Sequence, residues 1–326
     1  MKNPMPNGTT AGPDPKKEPE NQPLSASQLG MLLALAIALH TVENWIPPLP
    51  LPGARIGLAN IVTLVVIIGS GWRDALVITV LRQIGGSLLN GTFLAPGFFV
   101  GLAGGIFGIL AMQAAVLISS RFLRPVLSPI GVSCAGAVYH NLGQLAAAAI
   151  MLRDGSVINF LPFLLLLAIP SGVITGLIGI KLLVSLTGGH FFPVNKSNLL
   201  AAKGILPGDL AVNLLAVMAA VWIIVNSYLL PLTNPGHALI SVNGVPAQAV
   251  NLKKDALVTL DLGEDQMVFE VNNFRIRVVE SNCKDDLCIQ AGWIERPGQS
   301  IVCLPNRVVV SIPGGNNNKD LDAVTY

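Results

Sequence analysis

Between residues 29 and 186 the chain contains six apolar stretches, broken by Pro, Gly or charged residues. Each approaches the ~20 residues that an α-helix needs to cross a ~30 Å hydrocarbon core. Few folds remain open to such a chain, because in lipid every backbone N–H and C=O must be satisfied without water, and within one such segment only a helix does that. We place the stretches at 29–46, 56–71, 74–89, 98–119, 128–152 and 158–186, with a polar connector at 188–208 and a seventh at 209–230. Composition agrees: 52% of residues are hydrophobic and 12% charged, where a soluble domain carries about a quarter charged. The sequence therefore predicts an α-helical membrane protein, a six-helix bundle over 27–187 plus one further transmembrane helix.

Residues 1–26, rich in Pro, Gly, Asn and charge, read as a disordered tail. The apolar run begins too late for a cleavable signal peptide, so the first segment is expected to stay in the membrane. A net charge of +2 gives no ground for nucleic-acid binding. Orientation follows from Lys and Arg in short loops, which favour the cytoplasmic side. With the tail inside, Lys2, Lys16, Lys17, Arg73, Arg121, Arg124, Lys181, Lys196 and Lys203 are cytoplasmic, and only Arg55 and Arg153 fall in outer loops. Seven crossings then predict an extracytoplasmic location for everything after residue 230.

That portion changes character. ALISV (238–242), ALVTLDL (256–262), QMVFEV (266–271), FRIRVVE (274–280) and RVVVSI (307–312) show β-branched residues and partial alternation between turn signals. They predict a small all-β domain over 235–315, followed by a tail at 316–326. So small a domain has a limited core and gains from a covalent staple.

Cys283, Cys288 and Cys303 lie in this domain at C-x4-C-x14-C spacing, and Cys134 lies in the fifth apolar segment as a small hydrophobe. Outside the cytosol, thiols oxidise and persist as disulfides. Three readings stay open: a structural disulfide, a dithiol that cycles and passes electrons, or a metal site completed by His237, Asp285 or Asp286. C-x4-C is wide for zinc, and the expectation is no metal.

Polar side chains at bilayer depth are expensive and usually face a cavity or a partner. The candidates are Glu43 and Asn44 ending the first segment, Asn60 in the second, Arg82 and Gln83 in the third, and His140, Asn141 and Gln144 in the fifth. His140 and Gln144 are four apart and share a helical face. Together these residues are expected to line a pocket for a ligand with a polar head and an apolar body. The alternative is that Glu43 sits at the interface, Arg82 snorkels and the amides bond neighbouring helices. Gly101, Gly104, Gly105 and Gly108 in the fourth segment signal close helix packing. No phosphate-binding G-x-x-x-x-G-K-[ST] loop and no C-x-x-C-H haem motif occur, and the one adjacent acidic pair of the outer portion, Asp285-Asp286, stands alone on the wrong side for a prenyl diphosphate, so no hydrolase or transferase chemistry is indicated.

PGARIGLANIVTLVVI (52–67), LRQIGGSLLNGTF (81–93) and the Gly-rich fourth segment resemble the Gx transporter family, also called heptaprenyl diphosphate synthase component I, over about 28–187. That family is similar to the substrate-binding subunits of energy-coupling-factor vitamin transporters. ESNCKDDLCIQAGWIERPGQSIVCLPNRVVVSI (280–312) resembles the NusG domain II family through C-x4-C, GWI and PGQSIVCLPN. A protein of each kind occurs among the membrane components of flavin-based extracellular electron transfer, and this chain looks like the two fused. The resemblance implies electron passage from a membrane quinol, demethylmenaquinone or menaquinone, to extracytoplasmic flavin. It implies as partners membrane lipid and quinone, an extracytoplasmic flavoprotein and a membrane NADH dehydrogenase. With no flavinylation-type D-x-x-[ST]-G-A-T stretch, flavin is expected to be noncovalent or carried by a partner. The alternative it implies is a substrate-binding module for transport of a vitamin or isoprenoid-like ligand.

Overall fold

The structure, a computed structural model, describes residues 23–45, 57–120, 126–188, 191, 205–226, 236–263, 265–283 and 286–313. The N-terminal tail to residue 22, most of the connector, the end of the expected seventh span, the tail after 313, Arg55, Asp285 and the Asn44 side chain lie outside the described residues.

The apolar region forms helices α1 (Ala26–Trp45), α2 (Asn60–Gly69), α3 (Trp72–Leu89), α4 (Pro96–Ser120), α5 (Pro129–Leu152), α6 (Leu161–Gly188) and α7 (Pro207–Ile224), with a 3-10 turn at Gly155–Phe160. Among the described residues, four stretches are long and apolar enough to cross a membrane: Ala26–Glu43, Pro96–Ser119, Gly155–Thr187 and Pro207–Ile224. The expected second span is shorter than the sequence predicts. α2 has 10 residues, about 15 Å at 1.5 Å per residue, half the hydrocarbon core. Every α2 residue except Asn60 is buried, so protein and not lipid surrounds it. α3 begins at Trp72 instead of 74, directly after Gly71 at φ 118.

α5 is the central helix, packed between α4 and α6. Ser128 caps it, accepting from the Ile130 N–H at 3.1 Å, with Pro129 at the first helical position. Its contact with α6 is backbone to backbone: a Cβ on Gly172 would stand 2.7 Å from Cys134 Cα, and one on Gly176 2.7 Å from Ile130 Cα. The starts of α1 and α3 meet where the Leu24 N–H donates to Asp74 Oδ2 (2.9 Å). Gln28 Nε2 on α1 reaches Phe191 O beyond α6 (2.7 Å), and the Ser128 N–H donates to Asp209 Oδ1 on α7 (2.9 Å). These termini therefore share one end of the bundle.

The C-terminal domain consists of strands β1 (His237–Val242), β2 (Val245–Asn251), β3 (Ala256–Asp261), β4 (Gln266–Asn272), β5 (Arg275–Ser281), β6 (Ser300–Cys303) and β7 (Val308–Ser311), with a one-turn helix α8 (Leu287–Gln290). They form two antiparallel sheets, β2-β1-β7-β6 and β3-β4-β5. Between them Ile240, Met267, Phe269, Ile276, Ile301 and Val310 form a dry core. β2 and β6 are additions to the expected strands. β2 carries Pro246 and lies at a sheet edge, where a missing N–H is tolerated.

β6 and β7 lack clean alternation because both their faces are buried. Ile301, Cys303, Val308 and Val310 face the sandwich core; Val302 and Val309 pack against Val100, Leu145, Leu152 and Leu164 of the bundle. Asn159 Nδ2 donates to Gly298 O (2.7 Å) and Ser241 Oγ to Asp154 Oδ2 (3.0 Å) across the same junction. The β domain thus sits on the α5–α6 connection, at the bundle end opposite the starts of α1, α3 and α7.

Candidate functional site

Two constellations carry chemistry. In the β domain Cys283 follows β5, Cys288 lies in α8 and Cys303 ends β6. α8 packs on both strands, so thiols as far apart in sequence as Cys283 and Cys303 close into one cluster whose three sulfurs lie within 4.8 Å of one another. All three are buried, and no disulfide joins any of the four cysteines. Among the described residues no His or carboxylate joins the group. Three sulfurs fall one ligand short of a closed structural zinc set.

The cluster favours one thiolate. Cys303 Sγ–H donates to Cys288, which outweighs burial; the Ser281 hydroxyl and the Ile289 N–H add to it, and the Cys288 thiol falls to about 6. The same pairing, with burial, holds the Cys303 thiol well above the usual range. At neutral pH the pair is a thiolate beside its proton donor. A thiolate is the species that attacks a disulfide or transfers electrons as a nucleophile.

The other motif residues build the frame. Ile294 exchanges backbone hydrogen bonds with Ile276 (2.9 and 3.0 Å), which turns its neighbour Trp293 to the opposite face of β5. There the indole lies 4.9 Å from the Arg275 guanidinium and 4.6 Å from that of Arg277, and Arg277 pairs with Glu270 at 2.6 Å. Gln299 Oε1 accepts from the N–H groups of Glu295 (2.7 Å) and Arg296 (2.9 Å), closing the turn before β6.

The second constellation is inside the bundle. Asn60, His140, Asn141 and Gln144 line one small cavity with Gly57, Met112, Ser133, Ala137, Ser171 and Thr175. Its free space is about 20 Å³, room for a water and not for a ring. Thr175 Oγ1 donates to Ser171 O (2.6 Å) and pairs with Ser133 Oγ (2.8 Å); Asn141 Nδ2 donates to Leu164 O (2.8 Å). Gln144 Oε1 is buried with no hydrogen-bond partner among the described residues. Arg82 and Gln83 do not line the cavity. Arg82 Nη1 donates to Asn60 Oδ1 (3.3 Å) behind it, and Gln83 Nε2 bonds Phe98 O (3.3 Å). Glu43 is buried and accepts from the Gly57 N–H. Arg82 is itself buried, so it does not snorkel.

The glycines of α4 have a second use beyond close packing. A Cβ on Gly101 would meet Gln83, and one on Gly104 would meet Gln144 and His140. They are the hollows into which the polar side chains fit. Ser133, Ser171 and Thr175 escape a sequence reading because small hydroxyls are common at helix contacts; only the apposition of α5 and α6 brings them to one wall.

A polytopic membrane bundle joined to a small β sandwich with a triad of clustered thiols is the class of protein defined here. The heptaprenyl diphosphate synthase component I family model matches residues 32–182, and the NusG domain II model matches 211–316. Each model matches a different part of the chain, the first its membrane region and the second its C-terminal part. The second match begins within α7. Comparison with curated proteins finds no match. Among solved structures, a DUF1312 family protein from Ruminococcus gnavus is 33% identical, covering 24% of this chain and 97% of that one, with a TM-score of 0.22. The Lin0431 protein from Listeria innocua is 31% identical over 26% of this chain and all of its own (TM-score 0.24). A DUF1312 family protein from Enterococcus faecalis is 28% identical over 24% and 98% (TM-score 0.24).

Proposed function

We propose that this chain is a membrane-anchored thiol redox relay of extracellular electron transfer, taking electrons from a membrane quinol and delivering them outside the cytoplasm to flavin, free or on a partner flavoprotein. The observation that carries this reading is the triad of sulfurs within 4.8 Å. Quinol reduces a disulfide in the cluster to a dithiol and leaves as quinone. The dithiol then re-forms its disulfide, giving two electrons and two protons to the flavin. Cys288, as thiolate, is the reactive member and Cys303 its bonding partner. The cavity beneath is too small for a quinone ring as it stands, so the ring enters only where helices part.

Loop charge supports placing the sandwich outside, since Arg73 at the start of α3 and Lys181 near the end of α6 lie toward the bundle end opposite to it. The experiment is an absorption spectrum with mass spectrometry of the purified full-length protein. Co-purified quinone or a bound flavin is expected; a colourless preparation holding a vitamin would refute the relay. That outcome belongs to the second reading, a substrate-binding transport module, which Gln144 Oε1 favours as an acceptor waiting for a ligand donor.

A further inference from the structure

We propose that the seam between the bundle and the β domain is a binding site for the headgroup phosphate of an anionic membrane phospholipid. An open cavity of about 400 Å³ lies there, lined by Ile150, Met151 and Arg153 at the end of α5 and by Asn243 and Arg307 of the β domain. The two arginines come from different domains and line one space. Arg307 Nη1 donates to Asn243 Oδ1 at 3.5 Å, and among the described residues neither arginine has a carboxylate within 4 Å. The nearest acid in sequence, Asp154, is engaged elsewhere: its carboxylate accepts from the Ser156 N–H (2.8 Å) and Ser241 Oγ (3.0 Å).

The backbone of this site is built with left-handed residues. Arg153 (φ 52), Asn243 (φ 54) and Arg307 (φ 52) all adopt that conformation, which is uncommon outside glycine. Gly244 (φ 77) lets the β1–β2 turn lie against Arg153, where a Cβ would stand 2.3 Å from Arg153 Cβ and 2.9 Å from Leu152 O. The tight turn therefore fixes one arginine beside the other. Unsatisfied cations at a membrane surface attract anionic headgroups, and arginine suits phosphate through its planar donor fork.

The apolar wall identifies the source of the phosphate. Ile150 is 76% exposed in the last turn of α5, an apolar side chain open to an acyl chain. A lipid thus presents its headgroup to the arginines and its glycerol end to Ile150 and Met151. The same site explains why Arg153 stands on the side that loop charge otherwise leaves poor in cations. It does not depend on the relay and would hold if the thiols were purely structural.

The test is native mass spectrometry of the full-length protein titrated with phosphatidylglycerol or phosphatidylcholine, for wild type and for Arg153→Gln with Arg307→Gln. Each lost arginine is expected to weaken phosphatidylglycerol retention about fivefold, about 25-fold together. The Lys pair at the same positions keeps the charge and should retain most binding, which separates this effect from misfolding. Equal retention by wild type and the Gln pair, or no preference for phosphatidylglycerol, overturns the site. Arginine-dependent binding of flavin mononucleotide or inorganic phosphate in phosphatidylcholine alone, without a phosphatidylglycerol effect, overturns the lipid as the source.

Discussion

Cys288→Ser and Cys303→Ser are each expected to reduce electron delivery to extracytoplasmic flavin to the level of cells lacking the chain, while the protein still reaches the membrane. In the proposed relay either change removes half of the Cys288–Cys303 couple, and a serine hydroxyl can neither form nor break a disulfide. Cys283→Ser should retain most delivery, since the shared proton joins Cys288 and Cys303. Cys134→Ser, inside α5 against Gly172, should be neutral for delivery. The structural alternative predicts a different pattern, in which all three β-domain variants lose stability together and delivery falls only as far as protein level does. Proteolytic resistance of the β domain, measured alongside flavin reduction, separates the two. A buried hydroxyl in place of a thiol costs about 1–3 kcal/mol if unpaired. At Cys288 that cost is offset by the donors already present, Ser281 and the Ile289 N–H.

The second large effect is on assembly. Asp209 is 1% exposed at the start of α7, and its carboxylate accepts from two backbone N–H groups, Ser128 (2.9 Å) and Leu206 (2.8 Å). The first belongs to the α4–α5 connection and the second to the residue before α7. One side chain therefore caps its own helix and ties it to the bundle. Asp209→Ala leaves both donors without an acceptor at about 1–3 kcal/mol each, so a loss of about 2–6 kcal/mol is expected. Asp209→Asn, which keeps one acceptor oxygen, should lose about half as much. Thermal unfolding in detergent reads both. Little change for the Ala variant would mean that α7 is held by lipid-facing contacts instead.

The membrane character, most helices, five of the strands and the grouping of the cysteines were all readable from periodicity, length and spacing. What failed to show in the sequence has physical reasons. α2 reads as a full span because a protein-surrounded ten-residue helix and a lipid-facing one share the same apolar composition. β6 escapes notice because Val302 is buried by the bundle while Ile301 and Cys303 are buried by the sandwich, which erases alternation. The docking of the two halves could not be read at all, since Asn159, Ser241 and Val309 are ordinary residues until the domains meet. Of the polar intramembrane candidates, Asn60, His140, Asn141 and Gln144 converge on one cavity. Glu43, Arg82 and Gln83 are engaged around it, a distinction that depends on helix rotation and is invisible to spacing.

The central claim is that the thiol-bearing sandwich faces away from the cytoplasm. It is tested most directly by labelling spheroplasts with a membrane-impermeant maleimide after single substitutions at exposed positions, Leu257→Cys in β3 and Ser27→Cys at the start of α1. The native thiols are buried and contribute little background. Leu257→Cys is predicted to label on intact spheroplasts, and Ser27→Cys only after lysis. Labelling of Leu257→Cys only after lysis would contradict the account, and the outward electron route would fall with it.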